Sequence, residues 1–388
     1  MSLKKTVQAF LLLFIFPFFA IAQLKISGKI TSSEDNSPIA FVTIQAGKDQ
    51  KTISNENGEF ELSISSLPAI IKLTHTSFEG VVIQKPDTSR ILVKLKPIVL
   101  SLKEVVIGNY ALNLMKNAFE KAKETYKEPN YAKSFLRQIA FEKDKPTYLN
   151  EIYFNADWRN YGFIKWNPTQ ARQLKDKGMI SYTNIGFFAM ALSGYLFNDI
   201  HHKPLITKLD SLYTFKLKGT YELAGEVIAI ISCTPKIKIN KMHFEGDYFV
   251  NTATYNVLKI EGAINNMNMS SSGMMNIKNM GIDFMAQYKI NSQGRNTLDF
   301  STLNLNSRLK VLGIKAKEST FSSTLYMIDY NDVYNVDLKD INSTTNDNTT
   351  IKDMTYDANF WIENPMIMRT PREIEAVKAL EKVKQENK

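Results

Sequence analysis

Between Leu24 and Leu95 apolar and polar residues alternate in short runs. Leu24, Ile26 and Ile30 alternate with Lys25, Ser27 and Lys29, and Ala40, Val42, Ile44 and Ala46 follow the Asp35-Asn36-Ser37-Pro38 turn. Phe60, Leu62 and Ile64 alternate with Glu59, Glu61 and Ser63; Ile71 and Leu73 follow Pro68; Ile91, Val93 and Leu95 close the series. A period of two marks strands with one buried face, and Asn57-Gly58 supplies residues that tolerate positive φ where the chain reverses. Short strands at regular spacing predict a small antiparallel sandwich.

After an extended connector, Lys96 to Asn109, the period changes. Leu112, Met115, Phe119 and Ala122 share one helical face and Pro129 ends the segment, which predicts an amphipathic helix. Alternation then returns. Ser134–Glu142 and Thr147–Trp158 read as a hairpin around Lys143–Pro146, and strands are expected over Phe215–Glu222, Val227–Cys233, His243–Val250, Val257–Glu261, Asp283–Ile290, Leu298–Leu305 and Thr320–Met327. Such a series folds most simply as a curved antiparallel sheet. Asn342–Ile351 reads as an exposed polar loop. Thr370-Pro371-Arg372-Glu373 sets an N-cap, a first-turn proline and a capping-box glutamate in register, so a helix is expected to about Lys384, packed down by Phe360-Trp361.

The first segment also carries a resemblance. Gly28-Lys-Ile, Ser37-Pro-Ile-Ala-Phe-Val-Thr-Ile, Thr52-Ile-Ser-Asn-Glu-Asn-Gly-Glu-Phe, Leu73-Thr-His-Thr-Ser-Phe-Glu-Gly and Leu102-Lys-Glu-Val-Val-Ile, in that order, resemble the carboxypeptidase-regulatory-like domain of Bacteroidetes envelope proteins over about a fifth of the chain. The resemblance implies a transthyretin-like fold and a place in the envelope. It implies no activity, because the family takes its name from the non-catalytic domain of a peptidase. The region around Val227-Ile-Ala-Ile-Ile and Gly246–Ile260 is similar to the uncharacterised part that follows this domain in relatives, and its strand order resembles the half-barrel of periplasmic lipoprotein carriers. The expected fold is therefore mainly β: a transthyretin-like antiparallel β-sandwich, then a curved antiparallel sheet with a few covering helices. The expected divisions are a signal peptide at 1–22, the sandwich at 23–97, connector and helix at 98–129, the curved β domain at 130–362 and a C-terminal helix at 363–388.

Met1–Ala22 has Lys4 and Lys5, an apolar run from Ala9 to Ile21, and Ala20-Ile21-Ala22 before Gln23, the layout of a secretory signal peptide. No Cys follows the cleavage point, so lipid anchoring there is not expected. Loss of Lys4 and Lys5 lowers the formal charge from +9 to +7. Export and the lack of a basic run interleaved with aromatics set nucleic acid aside as a partner. Cys233, the single cysteine, lies in a strand-like apolar run and reads as a small buried hydrophobe.

Candidate chemistry is sparse. His75, His201, His202 and His243 have no H-E-x-x-H spacing, with Asp199, His201 and His202 the least implausible metal ligands. No Gly-x-Ser-x-Gly elbow or phosphate loop occurs, and Ser270-Ser-Ser-Gly273 reads as a loop. Met267, Met269, Met274, Met275, Met280 and Met285 cluster in an Asn- and Ser-rich loop; thioethers suit Cu(I), but adaptable lining of an apolar groove is the preferred reading. Ile185–Phe197 is the least polar stretch, too short to span a bilayer, and is either a buried helix or a surface for lipid or a partner. These features nominate Phe187, Phe188, Met190, Leu192, Tyr195, Phe197, Met267, Met269, Met274 and Met275 as an apolar ligand or partner surface. A single sheet with Glu245 and Asp247 on one face leaves the other to be covered by three helices: that from Leu112, the apolar run and the C-terminal helix. Any gap left on the concave face would hold a lipid or acyl chain.

The expected function is that of an exported, non-enzymatic binding or scaffold protein of the periplasm or outer membrane, without a cofactor or metal. Its expected partner is an envelope protein or polysaccharide, with lipid or the membrane surface as a further possibility. The alternatives are a periplasmic carrier of an apolar ligand, and a hydrolase whose site the sequence hides.

Overall fold

A computed structural model describes residues 24–47, 50–101, 109–178, 180, 182, 185–195, 209–236, 243–270, 276–311, 314–330, 337–341, 347–364 and 366–386. The segment read as a signal peptide lies outside them.

Strands β1 (Leu24–Ser32), β2 (Thr43–Ala46), β3 (Gln50–Ile53), β4 (Glu59–Ile64), β5 (Ala69–His75), β6 (Phe78–Lys85) and β7 (Ile91–Leu95) form two sheets, ordered β4-β1-β7 and β3-β2-β5-β6. The alternation read from the sequence decides what lies between them: Ile26, Ile30, Ile44, Phe60, Leu62, Ile71, Leu73 and Val93 make one apolar layer. Pairing is antiparallel except for β1 with β7, which is parallel. The chain reaches β7 by crossing from the other sheet, so no hairpin dictates its direction. The Asn55–Glu59 turn is held from within. Asn55 Oδ1 accepts from the Asn57 and Glu59 amides at 3.0 and 2.9 Å, and Gly58 takes φ +72° with the Ile30 carbonyl oxygen 2.3 Å from where a Cβ would stand.

The rest of the chain builds a larger sheet. Its elements are α1 (Tyr110–Glu124), β8 (Asn130–Glu142), β9 (Lys145–Arg159), β10 (Gly162–Lys175), α2 (Ile185–Leu192), α3 (Leu209–Leu212), β11 (Tyr213–Leu223), β12 (Glu226–Pro235), β13 (His243–Asn251), β14 (Val257–Ser270), β15 (Asn276–Ile290), β16 (Asn296–Val311), β17 (Ile314–Tyr330), β18 (Lys339–Asp340), α4 (Asp347–Ile351), α5 (Ala358–Glu363) and α6 (Pro371–Glu386). Among the described residues eleven strands pair in the order β11-β12-β13-β14-β15-β16-β17-β8-β9-β10-β18. Every pair is antiparallel. No described helix is long and apolar enough to cross a membrane.

Several segments differ from expectation. Gly162–Lys175 was not read as a strand, and its Pro168 sits at a register irregularity, where a missing backbone donor is tolerated. The described part of the methionine-rich segment is strand where a loop is expected, since Met267 and Met269 lie on β14 and Met280 and Met285 on β15. Within Asn342–Ile351, residues 347–351 form α4 with Asp347 and Ile351 buried, because the Asp347 carboxylate accepts the Gly186 amide at the start of α2 at 2.9 Å. Phe360 and Trp361 pack on Tyr153, with ring centroids 4.9 and 5.3 Å away, while α6 seats Ala376, Val377 and Leu380 on Ile139, Phe141, Leu149 and Leu174.

The larger departure concerns the two faces of the sheet. Leu136, Ala140, Ile152, Phe154, Phe284 and Leu325 point to one face and form a continuous core with α1 and α2. Phe135, Tyr153, Phe300 and Tyr326 point to the other, where Ile53 of the sandwich and Ile367 meet them. That second face is wet at β13, where Glu245 is exposed, and dry at β8 and β9. The C-terminal helix therefore covers the face opposite to α1 and α2. It does not join them.

The signature turn gives a direct test. Gly47 also has positive φ (+70°) but open space around it, so Gly47→Ala should lose only the backbone term, about 1 kcal/mol. Gly58→Ala adds the collision with Ile30 and should cost clearly more, on the order of 3 kcal/mol. Thermal unfolding of the two variants, followed by circular dichroism, checks the ranking.

Candidate functional site

Two buried polar centres lie on the face shared by sheet and sandwich. The first begins with a β-bulge. Tyr288 pairs with Leu298 and Gln287 with Phe300, so Asp299 is the extra residue of β16, and a second irregularity falls between Met327 and Asp329 of β17. Bulges re-aim side chains, and this one turns the Asp299 carboxylate, 3% exposed, toward the sandwich. There it takes the Lys51 ammonium of β3, the Lys289 ammonium at 2.8 Å and the Thr43 hydroxyl at 3.2 Å. Lys51 also lies 4.9 Å above the Tyr326 ring, and Phe41 stacks on Phe300 at 5.6 Å. Burial alone would raise the Asp299 pKa, but the two ammonium groups hold it well below the usual carboxylate range. Burial pushes the Lys51 ammonium down and Asp299 offsets only part of this. Burial acts the same way on Lys289, where Asp299 outweighs it and the pKa rises.

The second centre is a row across three strands. Arg137 of β8 pairs with Glu151 of β9, and Glu151 pairs with Arg172 of β10. The fully buried Glu151 accepts from Arg137 Nε at 2.8 Å, Arg172 Nη2 at 2.6 Å and Arg369 Nη2 at 2.7 Å. The guanidinium planes lie over rings, Arg137 on Phe135 and Arg172 on Trp361. Burial raises the Glu151 carboxyl, and the three guanidiniums overcome it, bringing it to about 2. Arg369 belongs to the segment between α5 and α6, so this centre fastens the tail to the sheet. The predicted capping box is present beside it: Thr370 N donates to Glu373 Oε2 at 2.7 Å and Glu373 N to Thr370 Oγ1 at 3.2 Å.

Beside the second centre, which lends it Arg137, the sandwich and sheet leave a cleft of about 360 Å3. Asn55, Glu56 and Phe41 close it from the sandwich side, and Arg372 and Glu373 form one wall. Its floor is the sheet face carrying Asn304, Asn306, Thr320, Ser322 and Thr324, with Asn304 paired to Ser322 and Asn306 to Thr320 on adjacent strands.

The nominated apolar residues sit elsewhere. Met190, Leu192 and Tyr195 are buried in the core under α2, where Tyr195 meets Tyr288 at 4.9 Å and Trp158 at 6.3 Å. They fill that face and do not form an exposed surface. Phe187 and Phe188 lie on α2, and Met267 and Met269 on β14, but their side chains are outside the described residues, as are Phe197, Met274 and Met275 altogether. Asp199, His201 and His202 are outside too. Among the described residues no group of three His, Cys, Asp or Glu is placed to hold a metal. His75 accepts the Ser77 amide on Nδ1 at 3.0 Å; burial first, then Lys259, pushes its pKa down to about 3. Cys233 is fully buried, and burial pushes its thiol pKa up.

Neither polar centre was read from the sequence. The available signal was that Phe135-Leu136, Ile139-Ala-Phe141 and Ile152-Tyr-Phe154 are apolar on both faces. Such strands are covered twice, so the Arg137 and Glu151 embedded in them must be paired.

A mainly β chain, in which a small sandwich is docked through buried ion pairs onto a large antiparallel sheet, is the class that these features define. Residues 26–107 match the family model of the CarboxypepD_reg-like domain, and the β-rich region follows it. No curated protein matches the chain in sequence. Among solved structures, a LolA superfamily protein from Nitrosomonas europaea is 13% identical, with 57% of this chain and 95% of that one covered at a TM-score of 0.23. MucB is 9% identical, with 57% and 93% covered at a TM-score of 0.20. Likeness at such scores bears on neither ligand nor partner.

Replacing Glu151 by Gln leaves three guanidiniums buried around a neutral group. The variant should lose about 3–5 kcal/mol in chemical denaturation, the range for breaking a buried ion pair from one side. In the native chain the carboxylate binds its proton less readily folded than unfolded, so its contribution is complete above the ordinary value of 4.5 and is lost as pH falls toward about 2. Denaturation midpoints measured between these limits should fall steadily in the native protein, and the fall should be smaller in Glu151→Gln.

Proposed function

We propose that the chain is an exported, non-catalytic binding or scaffold protein of the cell envelope, in which sandwich and sheet present one composite surface. The observation that carries this reading is the joint at Asp299. A carboxylate buried with two ammonium groups rejects any docking that leaves one of them buried alone, and such a group placed between two bodies favours a fixed arrangement over a flexible tether. The leader sequence Met1–Ala22 supports export, with the periplasm or the outer membrane as destination. Glu151 and Asp299, held ionised by their cations, serve as ties between parts of the chain and not as proton donors.

A carrier of apolar ligands is the second reading, and one observation favours it. Tyr195 belongs to the apolar core and also borders a recess of about 500 Å3 between the end of α1 and the Ala253–Asn256 turn.

Asp299→Ala leaves two ammonium groups facing each other with no anion, so the sandwich should detach without unfolding. Small-angle scattering of the mature chain should then show a larger radius of gyration, with the circular dichroism of both β bodies retained. An unchanged radius would remove Asp299 as the joint, and an extended native particle would remove the composite-surface reading. Fractionation of expressing cells should place the native chain, shortened at Gln23, in the envelope fraction; recovery of the unshortened chain from the cytoplasm would remove the export reading.

A further inference from the structure

We propose that the cleft between the Asn55–Glu56 turn and the floor of β16 and β17 binds a neutral, hydroxyl-rich ligand, one or two sugar residues of a glycan. The proposal rests on the composite-surface reading and assigns it a ligand class. Asn55 is only 3% exposed. Its Oδ1 is committed to the turn, while its buried Nδ2 has no hydrogen-bond partner among the described residues. A buried amide left half-used beside a cleft costs free energy unless something completes it. Opposite it the floor offers amides and hydroxyls in register, Asn304 beside Ser322 and Asn306 beside Thr320. Elsewhere on this face of the sheet the neighbouring positions are Phe300 and Tyr326. Where the cleft opens, polar side chains take the place of that apolar cover.

Charge and chemistry narrow the ligand. The lining carboxylates of Glu56, Asp283 and Glu373 slightly outnumber the guanidiniums of Arg137 and Arg372. Arg137 is already engaged by Glu151 at 2.8 Å, and Arg372 lies 4.0 Å over the Phe141 ring. The lining is therefore net negative, which disfavours an anionic ligand, and a fatty acid would leave the amides unpaired. Sugar hydroxyls donate and accept at once, which suits amides, hydroxyls and carboxylates together. Phe41, partly exposed in the cleft lining, supplies apolar surface for ring C–H groups. The volume is at the lower end of what small-ligand sites use.

The test uses the mature full-length chain with glucose, N-acetylglucosamine, maltose and cellobiose as probes, and glucuronate and laurate as contrasts, read by saturation-transfer NMR and by titration. At least one neutral saccharide should bind, more tightly than glucuronate. In Asn304→Ala/Asn306→Ala, which alters the floor and leaves the Asn55 turn intact, affinity should fall by roughly tenfold or more, equivalent to about 1.4 kcal/mol, with unchanged thermal unfolding. Two outcomes overturn the proposal: no neutral saccharide binds the native chain, or binding survives the double substitution. The scattering radius of the same native sample separates this failure from failure of the underlying reading. A compact, locked particle that ignores the sugars leaves the composite surface standing, and laurate binding in that sample would move the ligand to the recess beside Tyr195.

Discussion

Strands that are dry on both faces cannot leave a charge unaccounted for, and the rest of this molecule is arranged around that constraint. Strands β8 and β9 have apolar cover from α1 and α2 on one side and from the sandwich and tail on the other. Each buried carboxylate on the second side adds to its near partners one from a distant part of the chain. Asp299 calls on Lys51, 248 residues away, and Glu151 on Arg369, 218 residues away. Ion pairs of this kind add little net stability compared with apolar packing, but they reject arrangements that leave one partner alone. They explain why a sandwich of ordinary core composition docks in one register on the sheet.

Some of this was legible in the chain and some was not, for physical reasons. The sandwich strands were readable because each has one wet face, so that Phe60, Leu62 and Ile64 stand out against Glu59, Glu61 and Ser63. The capping box at Thr370 was readable because it is local. The strand Gly162–Lys175 was obscured by Pro168, which fits only because of an irregular register. The methionine segment was obscured by its Asn and Ser content, which raises loop propensity although the backbone is paired in β14 and β15. The side taken by α6 could not be read at all, since its apolar stripe states that it packs and says nothing of the face.

The polar centres were hidden for a different reason. Arg137, Glu151 and Arg172 are brought side by side by strand register, and register is set by pairings that alternation alone does not specify. Asp299 is harder still. A regular β16 would send residues 298 and 300 to one face and Asp299 to the other; the bulge places Leu298 in the helix-covered core and Phe300 against the sandwich. One inserted residue thus decides whether a carboxylate meets two lysines. The cleft inherits its position from the same event, because it lies in the space that the docked turn leaves above β16 and β17.

The order of strands in the large sheet has a consequence for biosynthesis. β8 is paired on one side with β9, its neighbour in the chain, and on the other with β17, where Gln138 faces Ser323 across 185 residues of sequence. Until β17 has emerged, β8 presents a long open edge with unmatched amides and carbonyls and apolar side chains on both faces. A nascent chain in that state is prone to pair with a second copy of itself, so the hazardous interval lasts from the synthesis of Glu142 to that of Ile314. A chain threaded across a membrane before folding would meet this hazard only after transit, and a chaperone waiting there would need to guard one strand above all others.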